Sequence, residues 1–266
     1  MSSNEFFFHS LLSRHQGHLI RRVERELLET FLMDSLGLLF PHFQRYRVDT
    51  HLDLVGQAAS LKQSLEKIIT NSGIEVEAQP IGEAYLNFLP KLLECLKLDA
   101  EAMFMGDPAA HSVDEVIICY PGFLAIGIYR IANFLHSLSL PIIPRALTEY
   151  AHEKTGVDIH PGATIGKNFC IDHGTGTVIG ESTIIGDNVK IYHGVTLGAL
   201  SVDKSLSNQK RHPTIENNVI IYSGSTILGG ETIIGENSIV GGNVWLTKSI
   251  RANSKVYHSD KTVVKG

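Results

Sequence analysis

Residues 157–198 read VDIHPGATIGKNFCIDHGTGTVIGESTIIGDNVKIYHGVTLG. An aliphatic side chain recurs every six positions here, at Ile159, Ile165 and Ile171, then at Ile179, Ile185, Ile191 and Leu197. The series resumes at Ile215, Ile221 and Ile227, then at Ile234, Val240 and Leu246. A period of six matches neither the 3.6 residues of a helical turn nor the alternation of a half-buried strand. It matches a solenoid in which each repeat makes one short strand and one tight turn. Three repeats then close one coil of a triangular prism, with the periodic aliphatics stacked along its axis. Glycines and the pairs Asp187-Asn188, Asn217-Asn218 and Glu236-Asn237 are expected to supply the turn conformations. The sequence therefore predicts a parallel β-helix over 157–250.

The period slips in three places. Two residues are extra in the DHGTGT segment between Ile171 and Ile179, and one is extra in GGET before Ile234. Between Leu197 and Ile215 lies a polar run rich in Ser, Lys and Asn, which reads as an extruded loop over 199–213. A solenoid needs no such interruptions for its stability, and insertions on a rigid scaffold are where chemistry tends to sit.

Upstream the grammar is helical. Residues 1–150 hold eight of the 24 glycines, against fifteen in 156–242. Apolar residues at three- and four-residue spacing predict helices over His18–Phe40, Leu52–Ile69, Ala84–Met105 with a break or kink at Pro90, Phe123–Leu138 and Pro144–Lys154. The domain reading is an α-helical domain at 1–155, a β-helix at 156–250 and a tail at 251–266, an α+β chain overall. A net charge of −5 gives no basic footprint for nucleic acid. Three scattered cysteines make no disulfide framework, so a reducing compartment, the cytoplasm, is expected. The N-terminal MSSNEFFFHSLLSRH lacks a signal-peptide pattern. The apolar stretch Val116–Tyr129 is too short to span a bilayer.

Candidate chemistry gathers at the slips. His173 follows an acid, Asp172, inside the first register break. Asp158, one coil earlier by the repeat count, is expected to lie close enough to orient its ring, so that the other ring nitrogen acts as a base. Arg211-His212 ends the long loop. Asp107 in Gly-Asp-Pro-Ala reads by itself as a turn or helix N-cap, and Glu181 after Gly180 as a turn carboxylate. His160, His173 and His193 are an alternative, an interfacial zinc site.

The runs VDIHPGATIG, DHGTGTVIGE, IYHGVTLG and KRHPTI, with GDPAA and YPGFLAIGIYRIANFL upstream, resemble the serine O-acetyltransferases, a hexapeptide-repeat acyltransferase family, over roughly residues 100–250. The resemblance implies a left-handed β-helix and transfer of an acetyl group from acetyl-CoA to the L-serine hydroxyl, giving O-acetyl-L-serine for cysteine biosynthesis, with no metal required. By motif, His173 would be the general base and Asp158 its orienting carboxylate. Asp107 and Asp172 would take the serine ammonium. Arg211 and His212 would take its carboxylate, with His212 assisting proton transfer, and Glu181 falls on an active-site position. Gly198, Ala199, Ser223, Gly224, Gly241 and Gly242 would line the CoA groove. The resemblance also implies sites between neighbouring β-helices of a homotrimer, joined into a hexamer by the helical half, and feedback by L-cysteine. The chain stops at Gly266 without an isoleucine tail, so a complex with O-acetylserine sulfhydrylase is not expected. Two other readings stay open at this point: an O-acetyltransferase for another small hydroxyl compound, and a non-catalytic trimeric scaffold.

Overall fold

In the computed structural model, which describes residues 3–17, 23–45, 47–201 and 209–259, the six-residue period builds a three-sided, left-handed parallel β-helix. Face one stacks strands Asp158–Ile159, Val178–Ile179, Thr196–Gly198, Thr226–Leu228 and Trp245–Leu246. Face two stacks Thr164–Ile165, Ile184–Ile185, Thr214–Ile215 and Ile233–Ile234. Face three stacks Cys170–Asp172, Lys190–Tyr192, Ile220–Ile221, Ile239–Val240 and Lys255–Val256. The register sets like upon like. Ile159 lies under Ile179, Leu197, Ile227 and Leu246 in turn, and Ile171 under Ile191, Ile221 and Val240. Of the periodic aliphatics only Leu246, near the far end, is not fully buried. Each other side chain is removed from water, a gain of about 1.5–3 kcal/mol apiece that the short strands themselves could not supply.

The solenoid continues beyond 250, where the tail was expected. Ile250 bridges to Ile234, and Val256 pairs with Val240. The step from Leu246 to Ile250 is shorter than six, which hid this last turn in the sequence.

Three edges join the faces. The front edge runs from face three to face one, through residues 173–177, 193–195, 223–225 and 241–244. The rear edge runs from face one to face two, and the long loop emerges there; its residues 202–208 lie outside the described residues. The third edge, from face two to face three, carries no slip. On it Asn168, Asn188, Asn218 and Asn237 all take left-handed φ between 55° and 59°. Their side-chain amides bond one to the next at 2.7, 3.0 and 3.0 Å. Asparagine, not glycine, therefore makes these left-handed turns. Gly186, on the same edge, is needed for close approach: a Cβ there would lie 2.3 Å from Asn217 Oδ1 in the next coil.

Seven α-helices precede the solenoid among the described residues: α1 (Ser3–Gly17), α2 (Arg25–Leu39), α3 (His51–Ser72), α4 (Ala78–Gly106), α5 (Val113–Cys119), α6 (Pro121–Ser137) and α7 (Ile143–Thr155). The expected helix over 18–40 starts at Arg25, because Glu24 is extended; residues 18–22 lie outside the described ones. Of the break or kink expected at Pro90, the break is absent: α4 runs through it. A capping box, Thr50 with Asp53, starts α3, and left-handed Gly73 ends it. No single helix among the described residues is long and apolar enough to cross a membrane.

The helical half closes the open end of the prism. A solenoid's first coil has backbone carbonyls with no coil beneath them. From α6, Tyr129 donates its hydroxyl to the Ala163 carbonyl (2.6 Å), and Asn133 donates to those of Pro161 (2.8 Å) and Ala163 (3.0 Å). Arg130 donates to the Gly166 carbonyl (2.8 Å) and, through Nε and Nη2, to both oxygens of Asp99 on α4 (2.6 and 2.8 Å). Asp99 accepts in addition from the Phe169 N–H (3.0 Å). Burial works against the Arg130 charge, and Asp99 more than offsets it, so its pKa is raised.

Candidate functional site

Two clusters of polar side chains sit on different edges of the prism. On the front edge, the two extra residues of the first slip let the chain leave face three at Asp172 and place His173 at the corner with a left-handed φ of 60°. The His173 side chain is 73% exposed in the single chain. Its Nε2 lies 3.6 Å from Asp172 Oδ1, and its ring meets that of His193, one coil on, at 5.6 Å between centroids. The other Asp172 oxygen binds Lys190 Nζ at 2.7 Å.

Asp107 joins this cluster from the helical half. It follows the last residue of α4 as that helix's C-cap, not the N-cap the sequence offered. Its carboxylate accepts from the Tyr120 hydroxyl (2.5 Å) and from the Ala109 N–H (2.8 Å). Those two bonds, Tyr120 first, hold its pKa below the usual carboxylate range. The same bond pushes the Tyr120 hydroxyl up to about 12, so it stays a donor. Lys190, His173 and Asp172 are all close enough to act on this pair electrostatically.

The slip lengthens the first coil, so that Asp158 lies under Val178 and residue 173 sits near the end of the coil that Asp158 begins. The Asp158 carboxylate faces Arg145 of α7 at 3.8 Å. Among the described hydrogen bonds and ion pairs, none joins it to His173.

The rear edge carries the second cluster. Ser182 organises it: its Oγ accepts from the N–H groups of Arg211 (2.9 Å) and His212 (3.1 Å) as the chain returns from the long loop. Its own N–H donates to His212 Nδ1 at 3.1 Å. With Nδ1 accepting, the neutral ring carries its proton on Nε2. His212 is buried, and burial, then the neighbouring Arg211 charge, drives its pKa down to about 4. Arg211 pairs with Glu181; burial raises that carboxyl's pKa, but the Arg211 hydrogen bond together with the nearby His160, Arg211 and His212 lowers it overall. His160 lies beside Glu181, and burial depresses its pKa too.

Gly180 makes room for this arrangement. A Cβ there would lie 2.0 Å from His212 Cδ2 and 2.1 Å from Nε2. Gly180→Ala is therefore expected to expel the ring at a cost of about 1–3 kcal/mol in urea unfolding. The uncovered imidazole should titrate well above the buried one by NMR, because desolvation is the first cause of its low pKa.

The three histidines of the zinc alternative divide between the edges, His173 and His193 in front and His160 at the rear. Among the described residues no three His, Cys, Asp or Glu side chains are grouped for a metal ion. Of the groove candidates, Gly198 and Gly241 answer to packing within the chain. A Cβ would meet Leu228 at 2.8 Å at the first and Tyr257 at 2.9 Å at the second. Ala199 lies at the rear edge, while Ser223, Gly224 and Gly242 lie along the front edge. There Gly176, Gly194 and Gly224, all at positive φ, stack directly on one another from beside His173. Sequence reading singled out neither Gly176 nor Gly194 as groove residues, nor Tyr120, Ser182 and Lys190 as members of the clusters. The one signal for Lys190 was a lysine on an outward strand position next to a periodic isoleucine.

No family model matches the chain. A plasmid serine acetyltransferase of Synechococcus elongatus is 47% identical over 190 residues, 70% of this chain and 59% of that protein. The chain thus spans under two thirds of that relative's length. A serine acetyltransferase of Helicobacter pylori is 48% identical over 130 residues, 49% of this chain and 74% of that one. Among solved structures, Entamoeba histolytica serine acetyltransferase 1 in complex with L-cysteine superposes with a TM-score of 0.79 at 36% identity, covering 89% of this chain and 87% of that one. The Neisseria gonorrhoeae serine acetyltransferase in complex with serine gives 0.61 at 25% identity, covering 88% and 95%.

Proposed function

Because the chain belongs to the serine acetyltransferase family, we propose that it moves the acetyl group of acetyl-CoA onto the hydroxyl of L-serine, giving O-acetyl-L-serine and CoA. The observation that carries this reading is the pair of clusters, one with two carboxylates beside an exposed imidazole and one with an arginine beside a buried imidazole. A zwitterionic amino acid needs both, and a sugar needs neither.

His173 takes the serine hydroxyl proton as that oxygen attacks the thioester carbonyl carbon. The tetrahedral adduct collapses, its C–S bond breaks, and the proton passes from the imidazolium to the departing CoA sulfur. Asp107, with Asp172 beside it, is the anionic end for the ammonium. Arg211 and His212 are the end for the carboxylate. The tautomer of His212 supports a donor's role through Nε2 rather than a base's. The stacked glycines on the front edge suit the extended pantetheine arm, since a side chain there would fill the path. The two clusters lie on different edges, so a complete site needs the front edge of one copy against the rear edge of the next, as in a trimer. L-cysteine, with a thiol in place of the hydroxyl, would occupy the same contacts as an inhibitor.

Thiol release from acetyl-CoA across a panel of amino acids and sugars tests the proposal. Release dependent on L-serine, with homoserine and sugars far slower, is expected. Preference for a sugar, or no release with any acceptor, would overturn it.

A further inference from the structure

Face three carries an aromatic column that the proposed chemistry leaves unused. Its outward positions beside the front edge are Asp172, Tyr192, Tyr222, Gly241 and Tyr257, one per coil. Tyr192 and Tyr222 stack at 5.0 Å between centroids with 14° between their planes, which fixes both rings. In the next coil the stack meets Gly241, which has no side chain to extend it. Tyr257 leans in from the coil beyond, its Cδ1 2.9 Å from where a Cβ of Gly241 would stand. Tyr222 and Tyr257 are 40% and 66% exposed. The result is a notch floored by glycine and bounded by two tyrosines, two coil steps or about 9.5 Å from strand to strand. A flat ring with a contact of about 3.5–4.0 Å on each face takes about 7–8 Å.

The front-edge glycines lead to this notch. Gly176, Gly194 and Gly224 stack from beside His173, and the line ends at Asn243, whose side chain covers Gly224. An extended chain laid along the glycines is turned aside there, and Gly241 and Gly242 leave the way open toward face three. From Gly176 to Asn243 is three coil steps, about 14 Å. The pantetheine arm has about as many backbone atoms as four residues of extended chain, roughly 14 Å. With its thioester at His173, its nucleotide end arrives at the notch. The charge there suits phosphate. Residues 243–259 hold Lys248, Arg251 and Lys255 and no Asp or Glu, in a chain of net charge −5. Lys255 shares the outward face of its strand with Tyr257. We infer that Tyr222 and Tyr257 clamp the adenine of acetyl-CoA, with the cations of the last coil facing its phosphates.

The inference rests on the serine acetyltransferase reading and is separated from it by changing the acetyl donor. Tyr222→Ala and Tyr257→Ala are each expected to raise the KM for acetyl-CoA about tenfold, with kcat within about twofold of the parent. S-acetylpantetheine ends before the nucleotide, so parent and variants should use it with the same kcat/KM. Tyr222→Phe and Tyr257→Phe keep the rings and should hold the acetyl-CoA KM within about twofold of the parent. Should alanine at 222 unseat Tyr192 and prevent folding, Tyr257→Ala, at the exposed end of the column, reads the same split. An unchanged acetyl-CoA KM in a folded alanine variant, or a loss of equal size with both donors, overturns the clamp alone. Absence of serine-dependent thiol release from acetyl-CoA by the parent chain overturns the acetyltransferase reading, and the inference with it.

Discussion

His173→Ala is expected to lower serine-dependent thiol release by about 10²–10⁴-fold, the usual worth of a positioned general base. A serine hydroxyl is almost wholly protonated at neutral pH, so its attack on a thioester depends on a group that takes the proton during the reaction. The imidazole at the front edge is the exposed titratable group placed to do so. Its backbone raises a complication, because alanine tolerates the left-handed φ of 60° poorly, at roughly 1–2 kcal/mol. His173→Asn removes the base and keeps a residue suited to that conformation, as Asn188 and Asn218 are on the third edge. Both variants should lose the same activity while only the alanine one loses measurable stability. Near-normal turnover in the asparagine variant would show that the base lies elsewhere.

Arg130→Met is expected to produce the largest loss of stability, about 3–5 kcal/mol in urea unfolding, because it strands the fully buried Asp99 carboxylate. The arginine also holds the Gly166 carbonyl of the first coil, so the damage falls where the helical half meets the prism. The double variant Asp99→Leu with Arg130→Met removes both charges and should recover much of the loss. The Phe169 N–H and the Gly166 carbonyl would still lack their partners, so recovery should be incomplete. A single variant as stable as the parent would mean that the pair only balances its own desolvation.

The prism was legible because its signal is redundant: each aliphatic is read against others at fixed spacing, and all must face inward. The slip at His173 was legible for the same reason, as a break in a regular count. The register of the first coil was less legible, because the slip itself alters which residues stack and sets Val178 on Asp158. The Asp99–Arg130 and Asp172–Lys190 pairs carry no such periodic mark. Each joins elements or coils whose apposition is decided by tertiary packing, and a lone charged residue in a helix or strand reads as solvated surface. The asparagine turns were half visible, since Asp-Asn and Asn-Asn pairs point to tight turns without saying which residue takes the left-handed conformation.

The amide ladder on the third edge has a bearing on how such a chain can change in length. Its four asparagines are spaced by the coil itself and lean on one another through three amide rungs. One residue inserted there would break two rungs and rotate the following strand, turning its inward isoleucine out to water. The other two edges already accommodate surplus residues, two in front and a whole loop behind. Growth and novelty in this molecule are thereby channelled to the sides where substrates are handled, while the remaining side serves as a fixed keel.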